Sequence, residues 1–260
     1  MNRDRRNPTE DDPFRSEVGT DSFFARPVTG GGRDTRAEDA GEFPRRIGIM
    51  ADGHGDLERT RSSIALFRRL KADGLFHLGD ACDFLKCKTM LPMIRLLEES
   101  GVRAVKGNNE LQAERGMAER LAGTAAAGTR VLRFFRDMPF VREFDGLCFT
   151  HSMPWGGIRS VYEPVDDGGT ERAAFVFRNT DYRIVFCGHS HVPVLFRWRS
   201  GEVRRERVET GVRLRLEREE RYIIVVGALE RGGCGFFDRE SMIYETLRVD
   251  SPAAGEARDD

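Results

Sequence analysis

Seven side chains able to bind a metal ion recur along this 260-residue chain, each just after a short apolar run. They are Asp52 and His54 in Ala-Asp-Gly-His, Asp80 in His-Leu-Gly-Asp, Asn108 in Lys-Gly-Asn-Asn-Glu, His151 in Phe-Thr-His-Ser, and His189 with His191 in Cys-Gly-His-Ser-His. Of the 5 histidines only His77 stands outside this set. Groups so far apart in sequence converge only where a fold gathers the ends of several strands. In open α/β sheets that place is the carboxyl edge. The chain is thereby held to strands and helices whose connecting loops share one face. Oxygen and imidazole donors without a thiolate suit a pair of Mn, Fe, Zn or Ni-type divalent ions.

The hydrophobic pattern supplies such strands. Residues 47–50, 75–78 and 102–105 are short apolar runs, and each leads directly into one of the motifs. Between them, Leu57, Ile64, Phe67 and Leu70 recur at helical spacing, which predicts a helix over 57–72. A second helix is predicted over 89–99, with Thr89 as its N-cap and Pro92 in its first turn. Strand, loop and helix in this order imply parallel βαβ units with right-handed crossovers. After about residue 130 the character changes. Residues 140–144 and 147–150, joined by Asp145-Gly146, read as a β-hairpin. A helix over 170–178 and a strand over 184–186 follow, then successive strands at 194–198, 203–208, 212–216, 223–226 and 242–249. Residues 212–216 alternate strictly, so one face packs and the other is wet; the Arg and Glu of these strands read as a solvated, cross-paired face.

Composition narrows the classes. With 39% hydrophobic residues, 33% charged residues and a formal net charge of −1, the chain reads as a soluble globular protein. It has no basic excess to draw it to nucleic acid or to a membrane surface. No apolar stretch nears the roughly 20 residues of a membrane span. The start, Met-Asn-Arg-Asp-Arg-Arg, has no apolar region behind it, so it is not a signal peptide. The 5 cysteines include no Cys-x-x-Cys pair, which speaks against a disulfide frame or zinc knuckle and for a reducing, cytoplasmic setting. Residues 1–44, rich in charge, Gly, Thr and Pro, read as a disordered tail whose only apolar cluster is Phe23-Phe24, and 250–260 as a frayed end. One domain remains, over 45–249.

The order Asp-x-His, Gly-Asp, Gly-Asn, His, Gly-His-x-His resembles that of the calcineurin-like metallophosphoesterases, and looks most like their small bacterial and archaeal phosphodiesterase branch. The resemblance implies an α/β fold, a four-layer αββα sandwich of two mixed sheets flanked by helices. It implies that Asp52, His54, Asp80 and His191 hold one metal and that Asp80, Asn108, His151 and His189 hold a second, with Asp80 bridging. A hydroxide between the two ions would be the nucleophile. The activity implied is a phosphodiesterase acting on a phosphate ester. The alternatives are a phosphatase of monoesters and a scaffold that keeps the fold for protein contacts, the complete ligand set counting against the scaffold.

The chain also departs from the family. Many members carry a histidine, the acid that protonates the leaving group, where this chain has Asn109. An amide can donate a hydrogen bond to phosphate but is no general acid near neutral pH. Asn109 is therefore a candidate substrate contact, good leaving groups are favoured, and Glu110 is the neighbour that could supply a proton instead. Residues 152–181 separate two ligand clusters and must rim the site. There Met153, Pro154, Trp155 and Tyr162, with Gly156-Gly157, form either a lip that stacks on a base or aryl group or a hydrophobic plug over the hairpin. His77, one turn before Asp80, faces the core or flanks the ligands.

Overall fold

The computed structural model describes residues 43–120 and 126–250. The tail readings for 1–42, Phe23-Phe24 among them, and for 251–260 lie outside the described residues. Phe43 and Pro44, assigned to the tail, belong to the folded region: Phe43 stacks on Phe144 at 4.8 Å, and Pro44 sits against Gly74.

Two six-stranded mixed sheets form the centre. The first carries β1 (Arg46–Met50), β2 (Gly74–His77), β3 (Val102–Ala104), β9 (Arg213–Arg215), β11 (Gly233–Asp238) and β12 (Ile243–Arg248), in the order β3-β2-β1-β11-β12-β9. The second carries β4 (Val141–Phe144), β5 (Leu147–Thr150), β6 (Ile184–Cys187), β7 (Val194–Arg199), β8 (Glu202–Arg207) and β10 (Arg221–Val225), in the order β4-β5-β6-β10-β7-β8. β1, β2 and β3 are mutually parallel, as are β5 and β6. The hairpin turns at Asp145-Gly146 with both residues at positive φ, the geometry a two-residue connection needs.

Alternation along the strands builds the layers. Ile47 and Ile49 of β1, Ile184 and Phe186 of β6, and Tyr222 and Ile224 of β10 meet in the core between the sheets. A run of rings crosses that core: Phe76 on Phe149 at 4.0 Å, Phe149 on Phe186 at 5.3 Å and Phe186 on Phe237 at 5.4 Å. Buried aromatics of this size dominate core energetics, which fixes the sheets face to face. The opposite faces take helices. Ile64 and Phe67 of α1 (Leu57–Arg69) cover Met50 and Leu75. Met93 and Leu97 of α2 (Cys87–Glu99) join Val131 and Phe135 of α4 (Ala126–Asp137) over Ala104. Val176 and Phe177 of α5 (Glu171–Asn179) cover Val185 and Ile223. Helix, sheet, sheet, helix is the layering the motif order implied.

Three local readings change. α2 begins at Cys87, so Thr89 lies inside its first turn, where its hydroxyl donates to the Lys86 carbonyl (2.9 Å) instead of capping, and Pro92 sits within the helix. Two helices, α3 (Asn108–Arg120) and α4, occupy a stretch with no predicted element. The strand β11 also had no prediction, because its Gly-Cys-Gly start reads as a turn. Tyr244 of the paired strand explains it, since a Cβ on Gly235 would lie 2.6 Å from the tyrosine oxygen. The cross-paired face on the late strands is present, with Arg197 to Glu206 at 3.6 Å and Arg213 to Glu245 at 3.3 Å. No helix among the described residues is long and apolar enough to cross a membrane.

Candidate metal centre

All seven motif residues lie just beyond the carboxyl ends of parallel strands. Asp52 and His54 follow β1, Asp80 follows β2, Asn108 follows β3, His151 follows β5, and His189 with His191 follow β6. Five of them, Asp52, His54, Asp80, His189 and His191, hold backbone φ between 45° and 71°, the left-handed region that non-glycine residues rarely enter. Such conformations cost of order 1–3 kcal/mol each and persist where the surroundings over-determine them. The loops are therefore shaped by what their side chains face.

The side chains form two groups. In the inner one, His151 Nε2, His189 Nδ1 and Asn108 Oδ1 make a triangle with edges of 2.9, 3.1 and 3.1 Å. In the outer one, His54 Nε2 and His191 Nε2 are 3.3 Å apart, and His191 Nε2 is 3.6 Å from Asp52 Oδ1. Donors bonded at roughly 2.1 Å to one ion and spread over a tetrahedral or octahedral face would stand about 3.0–3.4 Å apart. The inner triangle has that size, and the outer group is slightly wider. Five of the seven, Asp52, His54, Asp80, His151 and His191, fall into two triads with ligand atoms within 4.8 Å of one another. Asp52 approaches His151 only through Nδ1, at 4.0 Å. That nitrogen donates to the Leu78 carbonyl at 2.8 Å, so it is not a ligand atom for any ion beside Asp52.

The second ring nitrogens fix the tautomers. A carbonyl only accepts, so His151 carries its proton on Nδ1 and turns the Nε2 lone pair inward. His191 Nδ1 lies 3.0 Å from Glu230 Oε1 and likewise leaves Nε2 free to face the outer group. A carboxylate behind an imidazole orients it and raises its basicity. Glu230 carries no cue in the sequence, because the three-residue helical turn Leu229–Arg231 delivers it from a different part of the chain. Asp52 is held by the backbone N–H of His189, which donates to both of its oxygens at 3.2 and 2.9 Å.

Asn109 and Glu110 stand elsewhere than expected. The Asn109 amide donates to Asp80 Oδ2 at 2.7 Å and its backbone N–H to Asp80 Oδ1 at 2.8 Å, so this buried side chain positions Asp80. Glu110, wholly buried, accepts from the backbone N–H of Asp80 (2.8 Å), Gly107 (2.9 Å) and Cys82 (2.9 Å). It ties the loop after β2 to the loop after β3, and neither oxygen is left to serve a leaving group. A Cβ at Gly107 would lie 2.2 Å from Asp80 Oδ1, so only glycine lets these two loops close.

Electrostatics point the same way. Burial, then the neighbouring Asp80, pushes Asp52 well above the usual carboxylate range. Burial and then Asp80 raise Glu110 to about 7. Burial, with His151 next, lowers His189 to about 4, which keeps it neutral and able to ligate. Buried carboxylates pressed together in this way are relieved by a cation among them. A nitrogen and oxygen donor set therefore fits divalent metal ions here. His77 is fully buried beside the site, and burial lowers its pKa to about 3. It faces the core side of these loops and does not join either group.

The rim divides the two readings made for it. Met153 and Pro154 are buried and Trp155 packs edge-on against Phe175 at 5.7 Å, so this part is a plug. Ile158 and Tyr162 remain exposed and form the lip.

Comparison with known proteins agrees with this geometry. Residues 46–212, more than half of the chain, match the model of the calcineurin-like phosphoesterase superfamily domain. Among solved structures, a metallophosphoesterase from Sphaerobacter thermophilus is similar at a TM-score of 0.63 and 19% identity, over 81% of this chain and 90% of that one. An archaeal phosphodiesterase is similar at a TM-score of 0.42 and 18% identity, over 78% and 99% of the two chains. The phosphoesterase Yfce from E. coli gives 0.38 and 15%, over 79% and 100%. No curated protein sequence matches. With the family model matched over residues 46–212, which hold all seven donors, the chain belongs to the calcineurin-like phosphoesterase superfamily, whose members are metal-dependent phosphoric ester hydrolases.

Proposed function

We propose that the chain is a dinuclear metal-dependent phosphodiesterase. In this reading Asp52, His54, Asp80 and His191 hold one divalent ion, Asp80, Asn108, His151 and His189 hold the other, and Asp80 serves both. One observation carries it. Asp80 Oδ2 stands 4.0 Å from His54 Nε2 and 3.7 Å from His151 Nε2, so one carboxylate oxygen faces both donor groups. When bound, two such ions clamp the phosphate oxygens and acidify water at neutral pH.

The chain's own part is positional. Asn109 and the Gly107 turn hold Asp80 at the junction, and Glu110 locks the two loops that carry Asp80 and Asn108. Leu78 and Glu230 aim the imidazoles of His151 and His191. Neither Asn109 nor Glu110 holds a proton toward the mouth, which supports esters whose leaving group departs without an acid. Diesters with stable leaving groups meet that need, and alkyl monoesters do not. Manganese is the proposed ion, the donor set also suiting Fe, Zn or Ni. The proposed setting is the cytoplasm.

The test is metal analysis of the purified protein, followed by a panel of chromogenic mono- and diesters with added Mn²⁺. Two equivalents of metal and faster hydrolysis of aryl diesters are expected. A protein that binds no metal, or one that prefers alkyl monoesters, would sink the reading.

A further inference from the structure

Large apolar side chains left exposed on the described surface are few: Phe84, Leu85, Ile158, Tyr162 and Val192. All five lie on the loops after β2, β5 and β6, which also carry Asp80, His151 and His189 with His191. Phe84 and Leu85 follow Asp80 in the loop leading to α2, and Leu85 is 77% exposed. That loop is pinned to the site, because Lys86 Nζ donates to the His54 carbonyl at 2.9 Å and Gly55 N–H donates to the Ala81 carbonyl at 2.8 Å. Ile158 and Tyr162 bracket a helical turn hung from the strand end after His151, where Met153 N–H donates to the Ser160 carbonyl at 3.0 Å. The backbone of Tyr162 meets the His189 ring. Val192 directly follows His191.

Single exposed apolar residues are ordinary and need no account. Their confinement to one mouth is different. They come from three separate loops and surround a polar centre, which is the make-up of a small-molecule site: apolar walls with a few polar groups that fix orientation. Their exposure also runs against stability. Leu85, facing water, gains no burial energy on folding and is free to bury that area against a bound group.

We propose that these five side chains form an apolar collar that receives the non-reacting arm of the ester, so that the preferred substrate is a phosphodiester bearing a flat aromatic group beside the phosphate. This rests on the phosphodiester reading above and adds the substrate class. Tyr162 and Phe84 are its aromatic members, suited to stacking, on the loops after β5 and β2.

The experiment holds the leaving group constant and varies the other arm. Methyl, phenyl and thymidin-5′-yl esters of p-nitrophenyl phosphate are compared by kcat/KM with Mn²⁺-loaded protein. The phenyl ester should exceed the methyl ester by about tenfold or more, the effect of burying one ring face. In a Leu85→Ser/Tyr162→Ala variant this ratio should fall toward one. Leu85→Ser alone, at the most exposed position, keeps the test open should the double variant fold poorly, and it too should lower the ratio. Calorimetric binding of phenylphosphonate and methylphosphonate should show the same order in the wild type and lose it in the variants. Turnover without preference for the aromatic arm, or a preference unchanged in the variants, overturns the collar while leaving the phosphodiester reading intact. A metal-loaded protein that turns over no diester overturns both.

Discussion

The two donor groups are built differently. Each has one wholly buried member, His151 at the inner one and Asp52 at the outer, and partly buried partners, Asn108 and His189 against His54 and His191. The inner imidazole is aimed by a backbone carbonyl of its own sandwich, Leu78, which cannot move without the strand. The outer one is aimed by Glu230, a half-buried side chain on a short turn. Inner distances are 2.9–3.1 Å and outer ones 3.3–3.6 Å. Backbone support fixes the inner imidazole more firmly than a side chain on a short turn fixes the outer one, so an ion in the outer group should exchange more readily.

The sharpest way to break this contrast is to remove the residue both groups share. Asp80→Ala should abolish retention of both ions and cut hydrolysis by at least ~10²–10³-fold, the scale for losing one group aimed at a reacting phosphate. Elemental analysis that still finds two equivalents would refute the shared role. Next in size is the brace beneath the inner group. Glu110→Ala strands three buried backbone N–H donors and should cost about 3–5 kcal/mol, lowering Tm by roughly 10 °C. A melting curve within a degree or two of wild type would show that water replaces the carboxylate.

Glu230→Gln tests the outer group alone. It should weaken one of two metal-binding steps by ~10–100-fold and leave the other as it was. Equal weakening of both in a calorimetric titration would mean the groups are not independent. The smallest effect is in protons. Asp52 has its pKa raised, so in the metal-free protein it keeps a proton at pH values where a free carboxylate has lost it. His189 has its pKa lowered to about 4, so above that it has no proton to give. Loading the outer group should therefore release protons from Asp52, increasingly as pH falls, and His189 should contribute none above about pH 4. Titrations in buffers of different ionisation enthalpy measure this, and no buffer dependence at any pH would contradict it.

Much of the site was legible because its residues are of rare type and follow strand-like runs. Asp52, His54, Asp80, Asn108, His151, His189 and His191 all announce themselves in this way, and the structure brings all of them together. What surrounds them was not legible. Glu230 lies far from His191 in sequence and looks like any surface glutamate. Glu110 and Asn109 stood in the motif but pointed elsewhere, because the choice between the mouth and the protein's own backbone depends on where the neighbouring loop closes. α3 and α4 escaped notice in an Ala-, Gly- and Glu-rich stretch, and β11 because glycines serve a close tyrosine there.

The sequence by itself thus determined the alternation of strands and helices and the inventory of donors, while the four-layer class came with the resemblance that the motif order carries. The alternation and the inventory follow from periodicity and residue type, which are local properties. Only the tertiary structure decided which nitrogen of His151 and His191 faces inward, that Glu230 backs His191, and that Asn109 and Glu110 turn to Asp80 and its loop. These are matters of ångström-scale distance between segments far apart in the chain, set by how the two sheets pack and how their loops close over one another, and no local pattern encodes them.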